Sequence, residues 1–170
     1  MPTSEKESNS YTDTQKKAIK VSNGTNRLQE NVILDGTTSI DFKVLTQDTG
    51  GNLSIMVSSN NLKNTGPGLH IHPDFDETFY ITEGEVKFKV GEEFYFLKVG
   101  DSIFIPRNIP HAFTITSDKP ATFLIVCQPA GNIENFFREY SKYDNVTPEI
   151  ATKLMTDNNM KVVGPTLTID

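Results

Sequence analysis

The feature that most restricts this chain is a rhythm. Between Asn31 and Pro129, apolar and polar residues alternate in short runs that stop at Gly, Pro, Asn or Asp. A β-strand turns successive side chains to opposite faces, so such alternation marks strands with one face buried and one face wet. IDFKVLT (40–46) puts Ile40, Phe42 and Val44 on one face. GGNLSIMVSS, after the Gly50-Gly51 turn, does the same with Leu53, Ile55 and Val57. EVKFKV (85–90) turns Val86, Phe88 and Val90 inward and Lys87 and Lys89 outward, and residues 91–93 form a hairpin turn into FYFLKV. ATFLIVCQP (121–129) is apolar on both faces, as expected of a strand buried on both. Counting these runs gives about eight to ten short strands, and hence an all-β sandwich or barrel with jelly-roll closure.

The rhythm changes in the last forty residues. AGNIENFFREYSKY spaces Ile133, Phe136, Phe137 and Tyr140 along one helical face, with Asn132 as N-cap. Thr147-Pro148-Glu149 then combines a cap, a first-turn proline and a first-turn acid, followed by the apolar stripe Ile150, Leu154 and Met155. These helices are expected to cover the barrel, or to hold Phe136 and Phe137 over a cavity mouth. Residues 1–25 are rich in Ser, Thr, Asn and Lys and have almost nothing to bury, which predicts a flexible N-terminal arm. The expected organisation is therefore an arm (1–25), a β-barrel (26–130) and a C-terminal helical segment covering it (131–170).

A chain of 170 residues is simplest as one domain with a sound core. A formal net charge of −6 argues against a nucleic-acid surface, and no apolar run is long enough to span a membrane. The single cysteine, Cys127, excludes an internal disulfide and fits a reducing compartment, so the expected location is cytoplasmic. The balanced expectation for that thiol is structural burial rather than a role as a soft ligand.

The chemistry is concentrated in GPGLHIHPDFDETFYITEG (66–84). On a strand His70 and His72 face the same way, and Glu77, Phe79 and Ile81 share a face of the next run. Only three histidines occur in the chain, and the third, His111, opens the alternating run HAFTI with Phe113 and Ile115 on its face. If the barrel brings these faces together, His70, His72, Glu77 and His111 form a three-imidazole, one-carboxylate site. Such a set suits one divalent transition metal, among Fe, Ni, Mn, Co, Zn and Cu. Phe79, Phe88, Phe113 and Ile115 are the expected apolar lining of a substrate pocket, with ordinary core packing as the alternative. Glu77 could ligate the metal or act as general base. Asp74 and Asp76 are expected to be solvated loop acids.

These two stretches resemble the paired motifs of the cupin superfamily. In the first, His70, His72, Glu77 and Gly84 fall at the motif's positions, while Asn64 stands where a glycine is usual. In the second, Gly100, Pro106 and His111 match, while Asn108 replaces a glycine and Ile115 an asparagine. The intervening spacing is that of compact single-domain cupins, and the tail TPEIATKLMTDNNMKVVGPTL is similar to that of small quercetin-dioxygenase-like members. The resemblance implies a double-stranded β-helix, a metal held by His70, His72, Glu77 and His111, and a homodimer. It also implies a dioxygenase acting on a planar oxygenated small molecule, flavonol- or diketone-like. The competing expectations are a non-catalytic cupin that binds a small ligand or metal and, behind it, a sugar-type isomerase.

Overall fold

The computed structural model describes residues 17–170. Of the expected N-terminal arm, residues 1–16 lie outside the described residues. The chain forms β1 (Ile33–Leu34), β2 (Thr38–Val44), β3 (Ser54–Asn61), β4 (Gly68–Ile71), β5 (Asp76–Glu83), β6 (Glu85–Val90) and β7 (Glu93–Lys98). There follow β8 (Ser102–Ile105), β9 (His111–Ile115), β10 (Ala121–Gln128), α1 (Ile133–Tyr140), α2 (Pro148–Asp157) and β11 (Lys161–Thr166). The strands make two antiparallel sheets, one ordered β1-β2-β3-β10-β5-β8 and the other β11-β4-β9-β6-β7. Consecutive strands repeatedly change sheets, as from β4 to β5, and this winding encloses one core between the layers.

The core follows the alternation in most places. Ile40 and Phe42 of β2, Val86 and Phe88 of β6, and Phe79 and Ile81 of β5 are all buried and join a cluster with Phe123 and Ile125 of β10. Two strands depart from expectation. On β3 the buried face is Ser54, Met56 and Ser58, while Ile55 and Val57 lie on the half-buried outer face. Pairing decides this: Met56 sits opposite Ile125 and Ser54 opposite Cys127, so the buried face of β10 draws its partners inward. The outer face of β10 is correspondingly half-buried rather than fully buried, with Ala121, Phe123, Ile125 and Cys127 inside.

Both helices start as the sequence indicates. Thr147 caps α2 by accepting a bond from the Ile150 amide, with Pro148 in the first turn. Asn132 holds the N-cap position of α1 without a side-chain bond. Arg138 of α1 instead ties the helix to Glu30, and Glu134 accepts bonds from the Thr46 amide and hydroxyl at 2.5 and 2.6 Å. Beyond α2 the expectation was a helical segment to residue 170, with no strand in it. In the fold KVVGPT is β11, paired with β4 through Lys161↔Ile71 and Val162↔His70. It is a sheet edge, where proline costs no ladder bond. Among the described residues no helix is long and apolar enough to cross a membrane.

Candidate metal centre

Each histidine of the chain reaches the interior from the five-stranded sheet. His70 lies on β4, His72 just beyond its end, and His111 is the first residue of β9, directly opposite His70 in the ladder. Residues 73–75 then carry the chain across to the six-stranded sheet, where Glu77 arrives on β5 between Cys127 and Ile105. The carboxylate thus faces the imidazoles from the opposite layer, not from a neighbouring strand of one sheet. All four side chains are buried: His70 6 %, His72 2 %, Glu77 5 % and His111 2 % exposed.

The three rings stand with centroids between 4.4 and 4.8 Å apart, and one ligand atom from each lies within 4.8 Å of the others. Two tautomers are set by the backbone. His70 Nδ1 is 2.8 Å from the Gly68 carbonyl and His111 Nδ1 is 2.9 Å from the Ile109 carbonyl. A carbonyl only accepts, so each Nδ1 must carry the proton and each Nε2 of a neutral ring presents a lone pair. His111 Nε2 then points at Glu77 Oε2 from 3.3 Å, and His72 Nδ1 faces the same oxygen from 3.6 Å. Neither nitrogen has a hydrogen-bond partner, although both are buried. Burial, with His111 close by, pushes His70 down to about 3, and burial with both neighbouring imidazoles pushes His72 down as well. Those two rings are neutral, the form that a metal requires.

The loops that deliver these ligands use residues that the motif does not predict. Asn108 and Asn64, at the two positions where the family usually has glycine, take φ of +66° and +65°. Asparagine is among the few non-glycine residues that adopt this left-handed region readily, so the turns survive the replacement. The Asn108 amide donates to the His72 carbonyl at 2.8 Å, and the Asn64 amide to the Ile115 carbonyl at 3.0 Å. The first of these bonds ties the His72 end of one motif to the turn that precedes His111. Phe75 backs the site, its ring centroid 4.2 Å from that of His72. It fits because residue 131 is glycine: a Cβ there would lie 2.4 Å from Phe75 Cδ1.

Asp76 is not a solvated acid. It lies on the face opposite Glu77, as expected, but it accepts two side-chain bonds and one amide bond from Arg107, at 2.8 to 3.0 Å. The Arg107 guanidinium holds the Asp76 carboxyl at about 2. This clamp fastens the 106–110 turn to β5, and it was missed because its partners are distant in sequence. Asp74 is exposed, with Asn159 donating to it. Cys127 is buried, its Sγ 4.0 Å from Glu77 Oε1, and burial beside Glu77 and Glu134 pushes its thiol up. Phe136 is buried against Phe137 and Tyr140 on α1, whose ion pairs tie it to the 30–46 region.

Phe79, Phe113 and Phe88 lie one step deeper than the ligands on the same inward faces. Their centroids are 4.9 to 5.8 Å apart, and Phe123 joins them at 5.4 and 5.6 Å. Ile115, with Phe79 and Phe88, is buried in the core and Phe113 is partly buried. They form a packed aromatic layer beneath the imidazoles.

Comparison with known proteins bears on the family and the fold. A family model described as a cupin domain matches residues 62–127, which contain all four candidate ligands. The chain is 31 % identical to TT1209 from Thermus thermophilus over 47 % of this chain and 75 % of that one, with a TM-score of 0.44. It is similar to KdgF from a Halomonas species, at 14 % identity, covering 64 % of this chain and 94 % of that one, TM-score 0.54. It is also similar to an RmlC-like cupin from Shewanella frigidimarina, at 20 % identity, covering 59 % and 84 %, TM-score 0.51. No curated protein matches the chain.

Proposed function

The chain belongs to the cupin superfamily, and on that premise we propose that it binds one divalent transition metal through His70, His72, His111 and Glu77 and serves as a metal-dependent dioxygenase. The substrate class is a planar, oxygenated small molecule of the flavonol or diketone type.

One observation carries the metal assignment. With its Nδ1 committed to the Ile109 carbonyl, His111 turns a buried Nε2 that has no hydrogen-bond partner toward a carboxylate oxygen 3.3 Å away. His72 Nδ1 adds a second partnerless nitrogen beside the same oxygen. Electron-rich atoms converging in a low-dielectric interior require a positive charge among them, and three nitrogens with one carboxylate suit a divalent transition ion. When bound, such an ion supplies Lewis-acid polarisation and, for a redox-active metal, electron transfer with dioxygen.

The protein's own part follows from the geometry. Gly68 and Ile109 hold His70 and His111 in the ligating tautomer. Glu77 carries the only carboxylate among these four side chains and is the group that can take a proton from a substrate hydroxyl. The aromatic layer of Phe79, Phe88 and Phe113 keeps water from the site's floor, which strengthens every charge interaction above it.

The test is elemental analysis of protein purified without chelator, followed by incubation with flavonols and diketones in air and under argon. Stoichiometric metal and oxygen-dependent substrate loss support the proposal, whereas a metal-loaded protein inert across the panel refutes the dioxygenase reading. A second reading, a non-catalytic cupin that binds metal or a small ligand, is favoured by one observation. The aromatic side chains below the ligands pack on one another rather than around open space. Tight ligand binding without turnover would select it.

A further inference from the structure

Lys87 takes no part in the metal centre, yet this charged side chain is only 7 % exposed. On β6 it lies between the inward residues Val86 and Phe88, so it points away from the core and some other part of the chain must cover it. The cover is the segment that follows β11. The Lys87 ammonium donates to three successive carbonyls, those of Thr168 at 3.2 Å, Ile169 at 3.0 Å and Asp170 at 3.4 Å. An ammonium has three protons to donate, so this set satisfies it. The rings of Phe94 and Phe96 stand beside it, with centroids at 5.3 and 6.0 Å. Leu167 and Ile169 are half-buried while Thr168 and Asp170 are exposed, the alternation of an extended segment lying on a surface.

The same end of the chain frames the ligand strands. β11 pairs with β4 at Val162↔His70 and also lies against β9. Among the described residues the ladder between β4 and β9 has one register pair, His70↔His111, so strand pairing alone holds these two ligands loosely. β9 pairs at length with β6, and there Thr114 sits opposite Lys87. Thr114 therefore shares the outward face of Lys87, yet it is fully buried, and its hydroxyl has no hydrogen-bond partner among the described residues.

We infer that residues 167–170 form a strap that runs from β11 over β9 to β6, covers Thr114, and keeps β4 and β9 at the spacing that brings His70 and His111 together. Lys87 is the clasp of this strap and thereby a positioning residue for the metal, a role that rests on the metal reading above. The strap has two states, fastened and lifted. Lifting it takes three carbonyls from an ammonium held against the protein, so Lys87 favours the fastened state. A fastened strap favours the metal, and by linkage the metal favours the fastened strap by the same factor.

The experiment places a reporter thiol beneath the strap with Thr114→Cys in the full chain, and the native Cys127, buried in the core, is the control. In metal-free protein, Lys87→Met keeps the apolar stem and removes the charged bonds. It should speed maleimide labelling of the reporter about tenfold or more, while mass spectrometry finds Cys127 unlabelled. Without the reporter, Lys87→Met should weaken cobalt(II) binding about fivefold, read by competition with a chelating dye. Leu167→Gly combined with Ile169→Gly removes the strap's apolar grip and should weaken it to a similar extent. Adding Lys87→Met to that pair should weaken it no further, a saturation that general loss of stability would not produce. Reporter labelling unchanged by Lys87→Met overturns the strap. Faster labelling with unchanged cobalt(II) affinity overturns the positioning role, and so does a further loss in the combined variant. A wild type that takes up no cobalt(II) refutes the metal reading and this role of Lys87 with it, whereas the labelling still decides whether the strap exists.

Discussion

Acid should destabilise the metal-free protein through the histidines themselves. Burial and the nearby His111 hold His70 down from its ordinary 6.5 to about 3. The folded state therefore refuses a proton that the unfolded chain accepts below about 6.5. The stabilisation is complete above that pH and is lost progressively as the pH falls toward 3. At about pH 5 the folded imidazole is still neutral, so the loss is set by the distance from pH 5 to the unfolded value, about 1.5 units or 2 kcal/mol. His72, pushed down by burial and by its two neighbours, acts in the same direction. The assay is urea denaturation of chelated protein at about pH 7 and pH 5, repeated with His70→Asn. The wild type should lose about 2 kcal/mol more than the variant over that interval. Equal losses in the two proteins would refute the claim that His70 is held neutral by its surroundings.

Other consequences are as direct. Glu77→Gln should lower metal affinity at least about tenfold, read by competition with a chelating dye, whereas Asp76→Ala should leave the metal in place and lower only the melting temperature. Asn108→Val puts a β-branched residue at φ +66° and should cost about 1–3 kcal/mol in denaturation, with weaker metal retention because the bond to His72 shifts. The Cys127 thiol, buried and pushed up, should ignore a disulfide exchange reagent until denaturant is added, and stoichiometric reaction in the native protein would contradict its placement.

Local pattern carried much of the architecture. Alternation located β2, β5, β6 and β9, since a strand half-buried in a core leaves that trace in its own residues, and a continuous apolar run located β10 but not which of its faces is inside. The cap and proline at Thr147-Pro148 located α2 for the same local reason. Where pattern failed, the deciding partner was distant. Asp76 looked like a loop acid because Arg107, its clamp, lies on another turn. The Ile55 face of β3 looked like core because only pairing with β10 shows that Met56 faces inward. β11 was hidden because an edge strand can keep a Gly-Pro step that a central strand could not.

The amino-acid sequence alone picked out the candidate donors: three histidines and a carboxylate at spacings that strands convert into shared faces. Which sheet each donor comes from was decided in three dimensions, because residues 73–75 cross between layers and set Glu77 opposite the imidazoles. The tautomers were likewise decided there, by carbonyls that only a folded backbone brings within 2.8 and 2.9 Å of the rings. Side-chain chemistry is local and can be read residue by residue, whereas the direction of a lone pair depends on every strand around it.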